Sequence, residues 1–172
     1  MIRATLHPLF FRRSAKFDYC GPIDDGVKVL SAKVKRTVFQ TFFNESLVGK
    51  VTKSKVKIWR YRPLFGNSFM PVFSGKFREL NGRSVLEGTF SLHPFTRIFF
   101  PVWVISVLSF FLFFLYALYV AEKPQELLPF ILIPIGMAVF AVVLLNVGWF
   151  IGRYDIPYIE NKIQEAFLKG GI

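Results

Sequence analysis

The sequence predicts a membrane α-helical hairpin, two transmembrane helices, joined to a small α+β cytoplasmic domain with a mainly antiparallel sheet of about four strands. Three observations carry this. Ile98–Ala121 and Leu127–Gly152 run for 24 and 26 residues without a charged side chain, and at ~1.5 Å rise per residue each passes the ~30 Å of a hydrocarbon core. Residues 1–97 hold 18 of the 22 Lys and Arg against 6 of the 11 Asp and Glu, a net of +12. Around Asn81-Gly82 the apolar period is two, as in strands. The chain therefore divides into a basic domain (1–97), a two-helix transmembrane hairpin (98–152) and a C-terminal amphipathic helix (153–172) expected to dock on the basic domain.

Met1–Tyr19 leaves three readings open around Phe10-Phe11-Arg12-Arg13: an edge strand, a surface-lying segment or an unstructured arm. It is no secretory signal, because His7-Pro8 breaks the apolar run and Arg12-Arg13 follow it. From Pro22 a helix is expected. Proline suits the first helical position and Asp24-Asp25 favour a helix N-terminus, while Ile23, Val27, Leu30 and Val34 recur on one face. The competing reading is a strand, from the alternation in Val27-Lys28-Val29 and Lys33-Val34-Lys35.

After the Phe-rich stretch of Phe39, Phe42 and Phe43, Leu47–Thr52 and Lys55–Tyr61 read as a hairpin turning at Lys53-Ser54. Asn81-Gly82 is the favoured pair for a two-residue type I′ turn. That turn sets a register in which Phe77 faces Leu86, Phe73 faces Phe90 and Pro71 faces Leu92, with Lys76 against Glu87 and Ser74 against Thr89. It also sets Gly75 opposite Gly88, a notch that reads as a bulge, bend or close packing, with room for a ligand as the sharper alternative.

Two cross-membrane segments follow at once. Pro129 and Pro134 should distort the start of the second. Within them Ser106, Ser109 and Asn146 are the polar outliers and Gly148 and Gly152 form a small-xxx-small step, so these five are candidates for helix–helix contact, within the chain or between copies. Past Asp155-Ile156-Pro157, the stripe Ile156, Ile159, Ile163, Ala166 and Phe167 marks a helix with no excess of basic charge, suited to covering a sheet. Arg97 and Arg153 flank the hairpin while Lys123 alone sits in its loop, which directs both termini to the cytoplasm.

Within Trp59–Phe95, the motifs Gly66-Asn67-Ser68-Phe69-Met70-Pro71, Gly75-Lys76-Phe77, Gly88-Thr89-Phe90 and Leu92-His93-Pro94-Phe95 resemble those of a family of small bacterial two-span membrane proteins with an N-terminal cytoplasmic α+β domain. The resemblance implies a bacterial origin, hence the inner membrane, and this domain order. It carries no established activity and supplies no site residues.

No catalytic constellation is visible. No Gly-rich phosphate loop precedes a helix, Cys20 with His7 and His93 has no metal-ligand spacing, and no acid–base pair stands beside His93, which reads as a surface anchor. Cys20, the one cysteine, reads as a small buried hydrophobe. No cofactor is expected. The spans carry no ionisable residue, against a proton relay. The basic residues Lys53, Lys55, Lys57, Arg60, Arg62 and Arg97 are the candidate contacts to anionic lipid headgroups, and a solvated basic face or nucleic acid is the weaker reading of Trp59-Arg60-Tyr61-Arg62. The expected function is a membrane-tethered binding or adaptor module, its partners membrane lipids, an unidentified protein or its own copies. An oligomeric pore or effector and a membrane-associated enzyme are the alternatives.

Overall fold

The computed structural model describes residues 7–35, 45–63, 69–80 and 83–170. Phe39, Phe42 and Phe43, the Asn81-Gly82 turn and Gly66-Asn67-Ser68 lie outside them. A short helix α1 (His7–Phe10) leads into β1 (Arg12–Tyr19), α2 (Ile23–Lys33), β2 (Val34–Lys35), β3 (Ser46–Val51), β4 (Val56–Tyr61), β5 (Pro71–Leu80) and β6 (Arg83–Leu92). Two long helices follow, α3 (Pro94–Val120) and α5 (Leu132–Gly152), bridged by α4 (Pro124–Leu127) and a 3₁₀ turn (Leu128–Ile131), and the chain ends in α6 (Asp155–Gly170).

The strands make one mixed sheet of six, ordered β1-β6-β5-β4-β3-β2. Every neighbouring pair is antiparallel except β2 with β3, which is parallel. The expected four strands are therefore β3 to β6, and the count of about four is corrected to six. β1 resolves the open reading of the N-terminal stretch: Phe17 and Tyr19 turn into the core at alternate positions and Ala15 packs against it. β2 takes Val34, so α2 ends at Lys33 rather than carrying its stripe through Val34. Pro22 precedes the first helical residue as its cap, with φ −65°.

The register of β5 with β6 pairs Phe77 with Leu86, Phe73 with Phe90, Gly75 with Gly88 and Pro71 with Leu92, as the sequence pattern requires. In β3 the glycine at 49 has φ +154°, and a Cβ there would lie 2.0 Å from the Lys57 carbonyl oxygen, so only glycine fits this strand crossing.

α2 and α6 cover the same face of the sheet. Leu30 from α2 and Ile156, Ile159, Ile163, Ala166 and Phe167 from α6 share one core with Phe17, Ile58, Phe73, Phe77, Leu86 and Phe90. Each large aliphatic side chain buried there contributes about 1.5–3 kcal/mol. The two helices approach closely at Gly170, where a Cβ would meet Val29 at 2.5 Å.

α3 and the chain from α4 onward each contain a helical stretch long and apolar enough to cross a membrane, and only 11% of the most apolar window of each is buried. That exposure separates them from the core helices of a soluble protein, which bury such surface. Pro129 falls in the 3₁₀ turn that leads into α5.

Candidate functional site at the sheet–hairpin junction

β6 runs into α3 with only His93 between them, and α5 runs into α6 across Arg153-Tyr154. Both connections lie at the end of the sheet where β5 begins and β4 finishes. A second, smaller core is built there from Leu9, Leu92, Phe100, Ala141 and Leu145, with Phe69, Trp103 and Trp149 packed against it. The Phe11 and Trp149 rings stand 4.4 Å apart and join the first core to the hairpin.

The centre of the junction is Asp155, the first residue of α6, whose side chain is 5% exposed. Arg60 reaches it with Nη1 at 3.2 Å and Arg62 with Nη2 at 2.5 Å, both donating to Oδ1. Arg60 also donates to Glu45 through Nη2 and lies over the Tyr158 ring at 3.9 Å from its centroid. Burial pushes the Asp155 carboxyl up from its ordinary range, and Arg62 and then Arg60 oppose that shift. The Nε atoms of both arginines are buried without a hydrogen-bond partner among the described residues. The basic alternation of the sequence is thus turned inward at these two positions, onto a carboxylate 95 and 93 residues away. No local pattern announces such a pairing.

The other candidate cations lie apart. Lys53 sits in the β3–β4 turn at the opposite end of the sheet, paired with Asp24 of α2 at 2.6 Å. Lys55 closes the same turn, its carbonyl accepting from the Thr52 N–H and hydroxyl. Lys57 faces away from α2 and α6, cross-strand from Lys50. Arg97 is exposed in the first turn of α3 and has no acidic partner among the described residues. Arg153, which the sequence offered only as a flanking charge, is exposed at the end of α5 and stacks 4.3 Å from the Phe150 centroid and 5.1 Å from that of Tyr154. The structure brings together Arg60 and Arg62 but leaves Lys53 and Lys55 about six strand residues away, roughly 20 Å.

His93 caps α3: its Nδ1 accepts from the Phe95 N–H at 3.3 Å. Burial, and then the charge of Lys57, lower its pKa. The imidazole is accordingly held neutral, as an acceptor must be.

The polar outliers of the long helices bond within their own helices, Ser106 to the Val102 carbonyl at 3.0 Å and Asn146 to that of Val142 at 2.8 Å, and Ser109 is exposed. Gly148 and Gly152 are buried, and the space beside Gly148 is occupied by the Phe69 ring, 2.4 Å from where a Cβ would stand. The Gly75/Gly88 notch is likewise filled from within. Phe73 Cζ lies 2.6 Å from a Cβ placed on Gly88, so the pair of glycines seats a core ring.

Two further expectations change. Glu87 does pair with Lys76 in register, yet its carboxylate lies 3.6 Å from both Lys16 and Arg78 instead. Cys20 is exposed, because it follows Tyr19 and the alternation of β1 turns it away from the core. Among the described residues no group of His, Cys, Asp or Glu could hold a metal ion.

What the fold and junction define is a six-stranded mixed-sheet domain joined to two long apolar helices. Compared with family models, curated proteins and solved structures, the chain finds no match.

Proposed function

We propose that the chain is a membrane-tethered binding module of the bacterial inner membrane, with α3 and α5 as its two spans and the sheet domain held against the cytoplasmic leaflet, where it recognises anionic lipid headgroups. The observation that carries this reading is the pair Arg97 and Arg153. Both are exposed cations at the sheet end of the two uncharged apolar runs, and neither has an acidic partner among the described residues. A basic side chain near an anionic leaflet contributes about 1 kcal/mol. Aromatic residues support the same placement. Trp103, Trp149 and Tyr154 lie toward that end, and Tyr116 and Tyr119, 64% and 87% exposed, lie toward the other, as at the two interfaces of a bilayer. Arg60 and Arg62 serve instead to fasten α6, and Lys53 and Lys55 lie beyond the reach of a leaflet potential that decays over about 8 Å when the strands stand off the surface.

The full chain in vesicles mixing zwitterionic lipid with brominated anionic lipid provides the test. Tryptophan fluorescence should be quenched more by the brominated anionic lipid than by a brominated zwitterionic one, less so at high salt, and the preference should vanish in Arg97→Gln/Arg153→Gln. Equal quenching by the two lipids overturns the proposal.

A further inference from the structure

The second face of the sheet has chemistry that the leaflet contact does not use. α2 and α6 both pack on the face of Phe73, Phe77 and Phe90. On the opposite face β1, β6 and β5 align side chains in rows, Ser14 with Thr89 and Ser74, and Lys16 with Glu87 and Lys76. Between these rows is a shallow groove of about 480 Å³, lined by Ser14, Lys16, Lys76, Arg78, Glu87 and Thr89. Its floor is small and hydroxylated and its walls are cationic.

The charges in the groove do not balance. Glu87 is its one carboxylate and is shared at 3.6 Å by Lys16 and Arg78, while Lys76 has no anion among the described residues. The hydroxyl row continues from Ser74 to Lys57, which stands directly across from Lys50. Two like charges opposite each other on adjacent strands are destabilising unless something neutralises them. The face therefore presents spaced cations along a path crossing several strands, Lys16, Lys50, Lys76 and Arg78 exposed and Lys57 half-buried.

We propose that this face docks an acidic polypeptide segment, whose carboxylates meet Lys76, Lys16 and Arg78 in the groove and Lys57 and Lys50 beyond it. Charge complementarity selects the occupant. A second copy of the domain is excluded by its own net of +12 over residues 1–97. A lipid surface fits less well, because the groove's own cations Lys16, Lys76 and Arg78 stand level with or beyond Glu87, five residues along β6 from Leu92, roughly 17 Å, or about two screening lengths at physiological salt. Nucleic acid binding without sequence preference uses aromatic rings as stacking platforms in succession; the groove is lined by none, and Trp59 on β4 is the one ring near Lys57 on this face among the described strands β4 to β6 and β1. A small anion would meet only exposed side chains, whereas a chain carrying carboxylates at intervals engages several at once.

The test uses the full-length chain in nanodiscs of purely zwitterionic lipid, so that it stands or falls independently of the leaflet contact. A fluorescently labelled oligoglutamate peptide should bind, measured by anisotropy, and weaken as salt is raised. The variant Lys16→Glu/Lys76→Glu/Arg78→Glu should bind it at least about tenfold more weakly, since like charges then face each other, and Lys76→Gln alone should show a smaller loss in the same direction. Arg97→Gln/Arg153→Gln should bind it as the parent does. The proposal is overturned if the peptide does not bind, if both groove variants bind as the parent does, or if a labelled single-stranded oligonucleotide binds more tightly than the peptide.

Discussion

Arg62, just beyond β4, and Asp155, at the start of α6, are joined by a 2.5 Å hydrogen bond that links the sheet to the helix leaving the hairpin. At its other end α6 is tied again, where the Tyr19 hydroxyl donates to the Gly170 carbonyl at 3.0 Å. The helix is thus pinned at both termini over an apolar stripe, and the two long helices inherit a fixed position on the sheet through its first residue.

Removing Arg62 should expose the cost of burying Asp155. A carboxyl whose folded pKa is raised contributes stability that is fully present below its unfolded value and is lost as pH rises through the folded one. Arg62 exerts the larger coulombic pull on that carboxyl, ahead of Arg60. Arg62→Leu should therefore raise that pKa further and destabilise the chain at neutral pH by about 3 kcal/mol, the low end for breaking a buried pair because Arg60 remains. The difference from the parent should shrink as pH falls toward about 3.9 and Asp155 takes up its proton. Thermal midpoints of both proteins in detergent from acid to neutral pH measure this. A pH-independent difference counts against the pairing.

His93 gives the opposite sign. A base with a lowered folded pKa contributes stability that is present above its unfolded value, about 6.5, and is lost as pH falls through the folded one. Protonation also removes the acceptor that caps α3, a contact of the kind worth about 1 kcal/mol. Lys57→Gln takes away one of the two causes of the shift, so the His93 resonance should titrate at higher pH than in the parent. An unmoved or lower midpoint by NMR contradicts an influence of the Lys57 charge on His93.

These two sites differ in how far the sequence reveals them. The β5–β6 register is legible because a short turn joins neighbouring strands, so one Asn-Gly pair fixes every facing residue from Pro71–Leu92 onward. β1 carries no such signal. Its partner β6 lies far along the chain, and Arg13 interrupts the apolar side of its alternation. The amphipathic stripe of α6 is plain in sequence, but the choice of Asp155 as the ligand of Arg60 and Arg62 is not, since it depends on how the hairpin returns the chain. Glu87 makes the same point within a correct register. Its backbone is opposite Lys76, while its longer reach takes the carboxylate to Lys16 and Arg78.

Gly148 supplies a packing test. A methyl group there would stand 2.4, 2.6 and 3.0 Å from atoms of the Phe69 side chain, with no backbone atom among them. Gly148→Ala should destabilise the chain by about 1–3 kcal/mol through overpacking, and Phe69→Ala should remove most of that added cost in the double variant. Were Gly148 instead a contact between copies, Phe69→Ala would leave the cost of Gly148→Ala unchanged and the variant would alter cross-linking between chains.

The orientation of the hairpin follows from few charges and is open to a direct check. Basic residues near span ends stay on the cytoplasmic side. Arg97 and Arg153 are exposed at the sheet end, whereas the loop offers only Lys123, which lies 3.5 Å from Glu126. The loop Glu122–Glu126 should then face outward and both termini inward. In a Cys20→Ser background, Gln125→Cys should react with a membrane-impermeant thiol reagent in intact cells, after permeabilisation of any outer membrane. Leu168→Cys, at a position 75% exposed on α6, should react only once the inner membrane is opened. Replacing Arg97 and Arg153 by Glu while adding lysines to the loop should shift part of the population to the reverse pattern. Labelling of Leu168→Cys but not Gln125→Cys in intact cells of the otherwise unaltered chain would place the sheet domain outside, and the proposed contact with the cytoplasmic leaflet would fall with it.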